Sequence, residues 1–199
     1  MGVTAIILAG GKSSRFGRDK SLLQLNRKPL MQHLTEQCAA FADEILIISN
    51  QENKFGLPGI RELQDHYRDM GPLGGIHAGL CAASNPHIFV TACDMPFFHA
   101  GLAQRMLASL NVYEAVLPCH HTYFEPLFSA MRKDRALAEA ESLLANGDRK
   151  VLLLFDRLHT HCRECDGEEL NVFYNINYPE DYVRLASGCL QRNTALLTG

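Results

Sequence analysis

A chain of 199 residues of which 47% are hydrophobic is long enough to bury one large α/β core. A formal net charge of −3 and an isoelectric point near 6.3 exclude the dominant basic surface that nucleic acid or an anionic membrane would need. The seven cysteines are an odd set without an export signal, and no apolar run has the length of a membrane span, so the expectation is a cytoplasmic protein with reduced thiols.

The first element predicted is a buried central strand over Val3–Leu8, since a β-branched run without alternation suits a parallel strand covered on both faces. Gly10 and Gly11 follow, expected to turn the backbone through positive φ and to let it come close to a ligand. Amide groups exposed by such a loop form a concavity that fits phosphate oxygens. Arg15, Arg18 and Lys20 stand within ten residues of Gly10, so cations reach the same place, which is what a triphosphate requires. Neither Gly-x-x-x-x-Gly-Lys-Ser/Thr nor Gly-x-Gly-x-x-Gly is present in this loop.

A short apolar piece over 22–25 leads to Pro29, placed at the first turn of a helix over 29–41 whose inner face carries Leu30, His33, Leu34, Gln37, Cys38 and Phe41. A second buried strand, 44–49, ends at Asn50, and a third, 60–63, ends at Asp65. Ligands of open parallel sheets collect at the carboxyl ends of strands, although a plain turn residue would equally explain Asn50. Gly71-Pro72-Leu73-Gly74-Gly75-Ile76 opens a helix to about residue 83, and the strand 87–91 runs into Cys93-Asp94-Met95-Pro96. An acid at the end of an apolar strand can hold a hard divalent cation such as magnesium, or simply cap a turn. Residues 115–118 and 123–129 read as paired strands, with Pro126 confined to an edge or a bulge. A helix over 133–145, an apolar run at 151–155, an edge strand within 158–165 and a last helix over 179–186 complete a single domain, 1–186, with 187–199 as a loose tail.

One rival constellation is His159-x-His161-Cys162-x-x-Cys165 beside Cys119-His120-His121, with enough nitrogen and sulfur for a tetrahedral zinc ion. The second knuckle such a site usually has is missing, and exposed polar residues with unreactive thiols account for the same pattern.

Leu8-Ala9-Gly10-Gly11-x-Ser13-x-Arg15-x-Gly17-x-x-Lys20 resembles the signature of nucleotidyltransferases that join a nucleoside monophosphate to a phosphorylated acceptor. With Gly71 to Ile76, Cys93-Asp94-x-Pro96-Phe97 and Asn175-Ile176-Asn177-x-Pro179-Glu180-Asp181 in this order, the chain is similar to the molybdenum cofactor guanylyltransferases over nearly its whole length. The resemblance implies a Rossmann-like fold, a mostly parallel twisted sheet with one strand reversed and helices on both faces. It implies transfer of GMP from GTP to the terminal phosphate of molybdopterin or molybdenum cofactor. Leu8, Ala9, Gly10, Lys20, Asp65 and Asp94 correspond to GTP-contacting residues, and Asp94 to the magnesium ligand. Arg15, Lys20 and Asp94 are the residues expected to be catalytic, and delivery proteins or molybdoenzyme chaperones are candidate further partners.

The pattern departs from the family at several points. A family asparagine aligns with Ile48 while Asn50 stands two residues on, and Phe16 replaces a commoner methionine. Glu125 precedes Pro126 where glutamine or histidine is commoner, and Tyr178 replaces the threonine before Pro179, which loses an N-cap oxygen. Related enzymes that use CTP more often read Leu-Ala-Ala-Gly, so Leu8-Ala9-Gly10-Gly11 favours GTP. Activation of a sugar or polyol phosphate, or a cofactor carrier that binds without turnover, are the other readings.

Overall fold

Val3–Leu8 forms β1, and all six of its residues are buried, as expected of a strand with helices on both sides. The computed structural model describes residues 2–10, 23–25, 27–51, 53–65 and 70–187. Two short strands, β2 (Gln24–Leu25) and β3 (Lys28–Pro29), pair antiparallel and lead into α1 (Leu30–Ala39). Pro29 does not start the helix: its ψ of 135° keeps it extended as the N-cap and the end of β3. The inner stripe is Leu30, Met31, Leu34, Thr35 and Cys38, the expected period rotated towards Met31 and Thr35, so Gln37 stays in water.

The parallel half comprises β4 (Glu44–Ser49), β5 (Arg61–Gln64), α2 (Gly71–Ala82) and β6 (His87–Ala92). Then follow α3 (Ala100–Ser109), β7 (Ala115–His120), β8 (Tyr123–Phe124), β9 (Phe128–Arg132), α4 (Lys133–Ala145), α5 (Leu152–Asp156), β10 (Thr160–Glu164), a 3₁₀ segment at Gly167–Phe173 and α6 (Pro179–Ala186). Among the described residues eight strands make one sheet in the order β10-β7-β9-β6-β1-β4-β5, with β8 paired to β7. On this path β9 alone runs antiparallel to its neighbours, and β10 is the edge strand anticipated near residue 160.

The stretch 123–129 is two strands rather than one. Between the pairs Val116–Ala130 and Cys119–Phe124, β7 advances three residues and its partner six. The surplus, residues 125–127, bulges out at Pro126, which has no N–H to give to a ladder.

Alternation along the strands sorts the core into two layers. Ile6, Leu8, Leu46 and Ile48 lie under Leu73, Ile76 and Leu80 of α2 and under α4 and α5. Ala5, Ile7 and Ile47 face α1 and Leu185 of α6, while Val3 and Phe89 pack with α3. Glycines cost a helix about 1 kcal/mol each, yet α2 carries Gly74, Gly75 and Gly79 in its interior. The reason is its closeness to β1: a Cβ on Gly79 would stand 2.6 Å from Ile6 Cδ1 and 2.7 Å from its Cγ2. On Gly75 it would stand 3.1 Å from Leu8 Cδ2. Small residues bring the amino end of α2 down onto the end of β1, which positions the site. No helix of the described residues is long and apolar enough to cross a membrane. Of the tail expected from 187 onwards, only Ser187 lies within the described residues.

Candidate active site

Because β5, β4, β1 and β6 are parallel, their carboxyl ends open on one edge, and the polar residues that follow them meet there. A cleft of about 750 Å³ is lined by Leu8 and Gly10 at the end of β1, Ile48 and Asn50 at the end of β4, Gln64 and Asp65 at the end of β5, and Cys93 and Asp94 just past β6. Gly71, Pro72 and Gly75 of α2 form a further wall.

Backbone bonds fix these positions. Ala9 N–H donates to the Ile48 carbonyl (2.8 Å), Cys93 N–H to the Leu8 carbonyl (2.9 Å) and Asp65 N–H to the Ser49 carbonyl (3.1 Å), so each ladder extends past its strand. The Asp94 carbonyl accepts from Ile176 N–H at 2.9 Å. Ile176 is fully buried, so the Asn175 to Asn177 stretch anchors the turn that carries Asp94.

Gly10 does not adopt the positive φ expected of it. The loop backbone instead passes close to Asn50, where a Cβ on residue 10 would lie 3.1 Å from Asn50 Oδ1. Gly71 has φ +66° at the start of α2, a conformation that favours glycine, and Pro72 stands in the first turn. Among the described residues no side chain caps this end, and the amino end of a helix directed at the cleft favours an anion such as phosphate.

The sequence-predicted site residues are placed as follows. Leu8, Gly10, Asp65 and Asp94 share the cleft, together with Asn50 and Ile48. Ala9 is at the same strand end, but its side chain packs in the layer under α1. Gly11, Arg15, Phe16, Arg18 and Lys20 lie outside the described residues. Gln64 and Leu127 line the cleft without having been singled out, and Leu127 gets there through the bulge at Pro126.

Glu125 comes from the same bulge. It accepts hydrogen bonds from Asn175 Nδ2 (3.0 Å) and Leu127 N–H (3.0 Å), yet burial pushes its carboxyl above the ordinary value, and the charge of Asp94 pushes the same way. Asp65 and Asp94 line the cleft and Glu125 feels the charge of Asp94, so carboxylates collect on this side of the sheet.

At the other end of that anchor, Tyr178 caps α6 without a side-chain oxygen. Asp181 takes over, its Oδ2 accepting from Asn177 N–H (2.9 Å) and Tyr178 N–H (2.8 Å). The histidines and cysteines near β10 are spread out: His159 and His161 lie against the Tyr113 ring, Cys162 is exposed, and Cys165 is buried beside β7.

Comparison with known proteins agrees with this geometry. Residues 5–161 match the MobA-like NTP transferase domain. The molybdenum cofactor guanylyltransferase of Vibrio cholerae is 34% identical over 185 residues, which cover 92% of this chain and 90% of that protein. A probable molybdenum cofactor guanylyltransferase of Pelotomaculum thermopropionicum is 31% identical over 91% of this chain and 90% of its own length. The crystal structure of molybdopterin-guanine dinucleotide biosynthesis protein A from Archaeoglobus fulgidus superimposes with a TM-score of 0.79 at 26% identity, over 94% of this chain and 98% of that one. A cytidylyltransferase from Thermus thermophilus, at 20% identity and a TM-score of 0.72, shares the fold over 94% of this chain and 98% of that one. With strand order, cleft and sequence in agreement, the chain belongs to the MobA-like NTP transferase family.

Proposed function

We propose that this nucleotidyltransferase moves GMP from GTP to the terminal phosphate of molybdopterin or its molybdenum form, yielding a guanine dinucleotide cofactor and pyrophosphate. The observation that carries the reading is the meeting of Gly10, Asn50, Asp65 and Asp94 at four parallel strand ends, in a chain 34% identical to a guanylyltransferase over 92% of its length. An acceptor phosphate oxygen forms a bond to the α-phosphorus while the bond from that phosphorus to the β-bridging oxygen breaks, and pyrophosphate departs with the electron pair. The acceptor is already largely ionised at neutral pH, so no general base is asked of the protein. Its work is positioning and neutralisation.

The residue roles follow from place and charge. Backbone groups from Leu8 to Gly10 meet the guanine edge, and Asp65 makes a further nucleotide contact. The amino end of α2 faces the phosphates. Arg15 and Lys20 bind the triphosphate and the leaving pyrophosphate. Asp94 holds magnesium, with Asp65 in the same cleft; when bound, the cation neutralises phosphate oxygens. Glu125, which accepts from Asn175 and feels the charge of Asp94, is assigned to the acceptor.

Thermal shifts with GTP, CTP and ATP, each with magnesium, test the nucleotide. A ligand at about 100 times its dissociation constant adds about 2.7 kcal/mol, so GTP should give the largest shift. A shift with CTP equal to or above that with GTP would overturn the choice of GTP. Pyrophosphate release from GTP that does not depend on molybdopterin would overturn the acceptor.

A further inference from the structure

Between α2 and α4 three side chains of types that ligate metals come together. His77 and Cys81 are four residues apart and so share one face of α2, and Glu141 reaches them from the facing helix α4. His77 Nε2 lies 3.7 Å from Glu141 Oε1 and 3.6 Å from Cys81 Sγ, and the three ligand atoms all fall within 4.8 Å of one another. Bond lengths of about 2.0–2.1 Å to nitrogen, about 2.3 Å to sulfur and about 2.0–2.2 Å to oxygen, set at tetrahedral angles, put ligand atoms roughly 3.3–3.6 Å apart. Of the three separations among these ligand atoms, the two from His77 Nε2 are therefore of that length to within a few tenths of an ångström. Cys81 Sγ also lies 3.9 Å from His77 Nδ1, beside the ring, so closing the site takes a turn of the Cys81 or His77 side chain together with that of the exposed Glu141.

We propose that His77, Cys81 and Glu141 form a zinc-class transition-metal site that ties α2 to α4, with a fourth position open to water. The donor set decides the class: one imidazole, one thiolate and one carboxylate favour zinc or cobalt(II) over magnesium or calcium, which take oxygen alone. Lys133, the nearest cation to Cys81 on α4, is occupied elsewhere, its Nζ donating to the Ala83 carbonyl at 2.6 Å. Burial of His77 gives the site a fixed wall, while exposed Cys81 and Glu141 leave a path for the ion. None of the three lines the nucleotide cleft. The bland reading of the same atoms is an imidazole–carboxylate pair with a thiol next to it. The two readings differ in whether the three groups act on one ion.

Cobalt(II) titrated into chelator-treated full-length protein separates them. The site predicts one equivalent bound, with a thiolate-to-cobalt charge-transfer band in the near ultraviolet and the intense visible bands of a four-coordinate ion. Cys81→Ser should abolish the charge-transfer band, and Glu141→Gln, at an exposed position that leaves the fold alone, should weaken binding by about tenfold or more. Cys162→Ser, at an exposed thiol remote from α2, should change neither. In parallel, zinc should raise the melting temperature of the wild type and raise it less in Glu141→Gln. No charge-transfer band, or a band that survives Cys81→Ser, or equal affinity in Glu141→Gln, would overturn the proposal.

Discussion

The two edges of the parallel sheet treat their carboxylates in opposite ways. At the amino edge Glu44 is ringed by donors: Thr4 Oγ1 at 2.6 Å, Ser84 N–H at 2.8 Å and Oγ at 3.1 Å, and Arg61 at 3.0 Å. Burial disfavours its charge, but the donors from Ser84, Thr4 and Arg61 outweigh this and hold the carboxyl below the ordinary 4.5. At the carboxyl edge Glu125 has two donors, is driven up by burial, and stands close enough to Asp94 to be driven up further. One edge is electrostatically closed by the protein itself. The other places a carboxyl where burial and the charge of Asp94 both oppose its ionisation, at the mouth of the cleft.

The largest effect expected from this contrast is on rate. Asp94→Asn keeps shape and removes the charge, so GMP transfer should fall by about 10²–10³ with the melting temperature little changed. Higher magnesium should recover part of the loss. A wild-type rate at saturating GTP and magnesium would mean that the carboxyl edge is only a turn.

Next comes the amino edge. Glu44→Gln exchanges charged for neutral acceptors and should destabilise by about 1–2 kcal/mol at pH 7 without touching turnover. Because the folded state lowers this carboxyl, its contribution is present above 4.5 and fades as pH falls below it, so mutant and wild type should converge in acid. A penalty that does not change with pH would deny the electrostatic origin.

The smallest effect has the opposite sign. The folded state raises Glu125, so the stability linked to its proton is present below 4.5 and lost as pH rises through the raised value. Glu125→Gln, whose amide oxygen can still accept from Leu127 once the Asn175 amide turns over, should therefore stabilise slightly at pH 7, with the gain vanishing towards pH 4. Urea melts at several pH values measure both mutants together, and a stability loss in Glu125→Gln at neutral pH would break the comparison.

Much of the nucleotide side was legible because it obeys local rules. Buried β-branched runs marked β1, β4 and β6, followed in turn by a glycine, an asparagine and an acid, and with Asp65 after the short β5 these residues, Gly10, Asn50, Asp65 and Asp94, fall together once the strands are parallel. The glycines of α2 were legible as a loop but not as a packing device, since only the structure brings Gly79 against Ile6. Glu125 was harder. A bulge of three residues decides where it sits, and the charge of Asp94 reaches it through space from a part of the chain far away in sequence. Asn175 and Ile176 carried a motif without a visible role until Ile176 N–H was found on the Asp94 carbonyl. The rotation of α1 was missed because the pairing of β2 with β3, not the helix's own period, sets where it begins.

A structure of the protein soaked with GTP and magnesium tests the central claim most directly. The triphosphate should lie between the end of β1 and the amino end of α2, with the cation in contact with an Asp94 carboxylate oxygen and the guanine against the backbone from Leu8 to Gly10. A nucleotide bound outside this cleft, or a cation held there without Asp94, would contradict it.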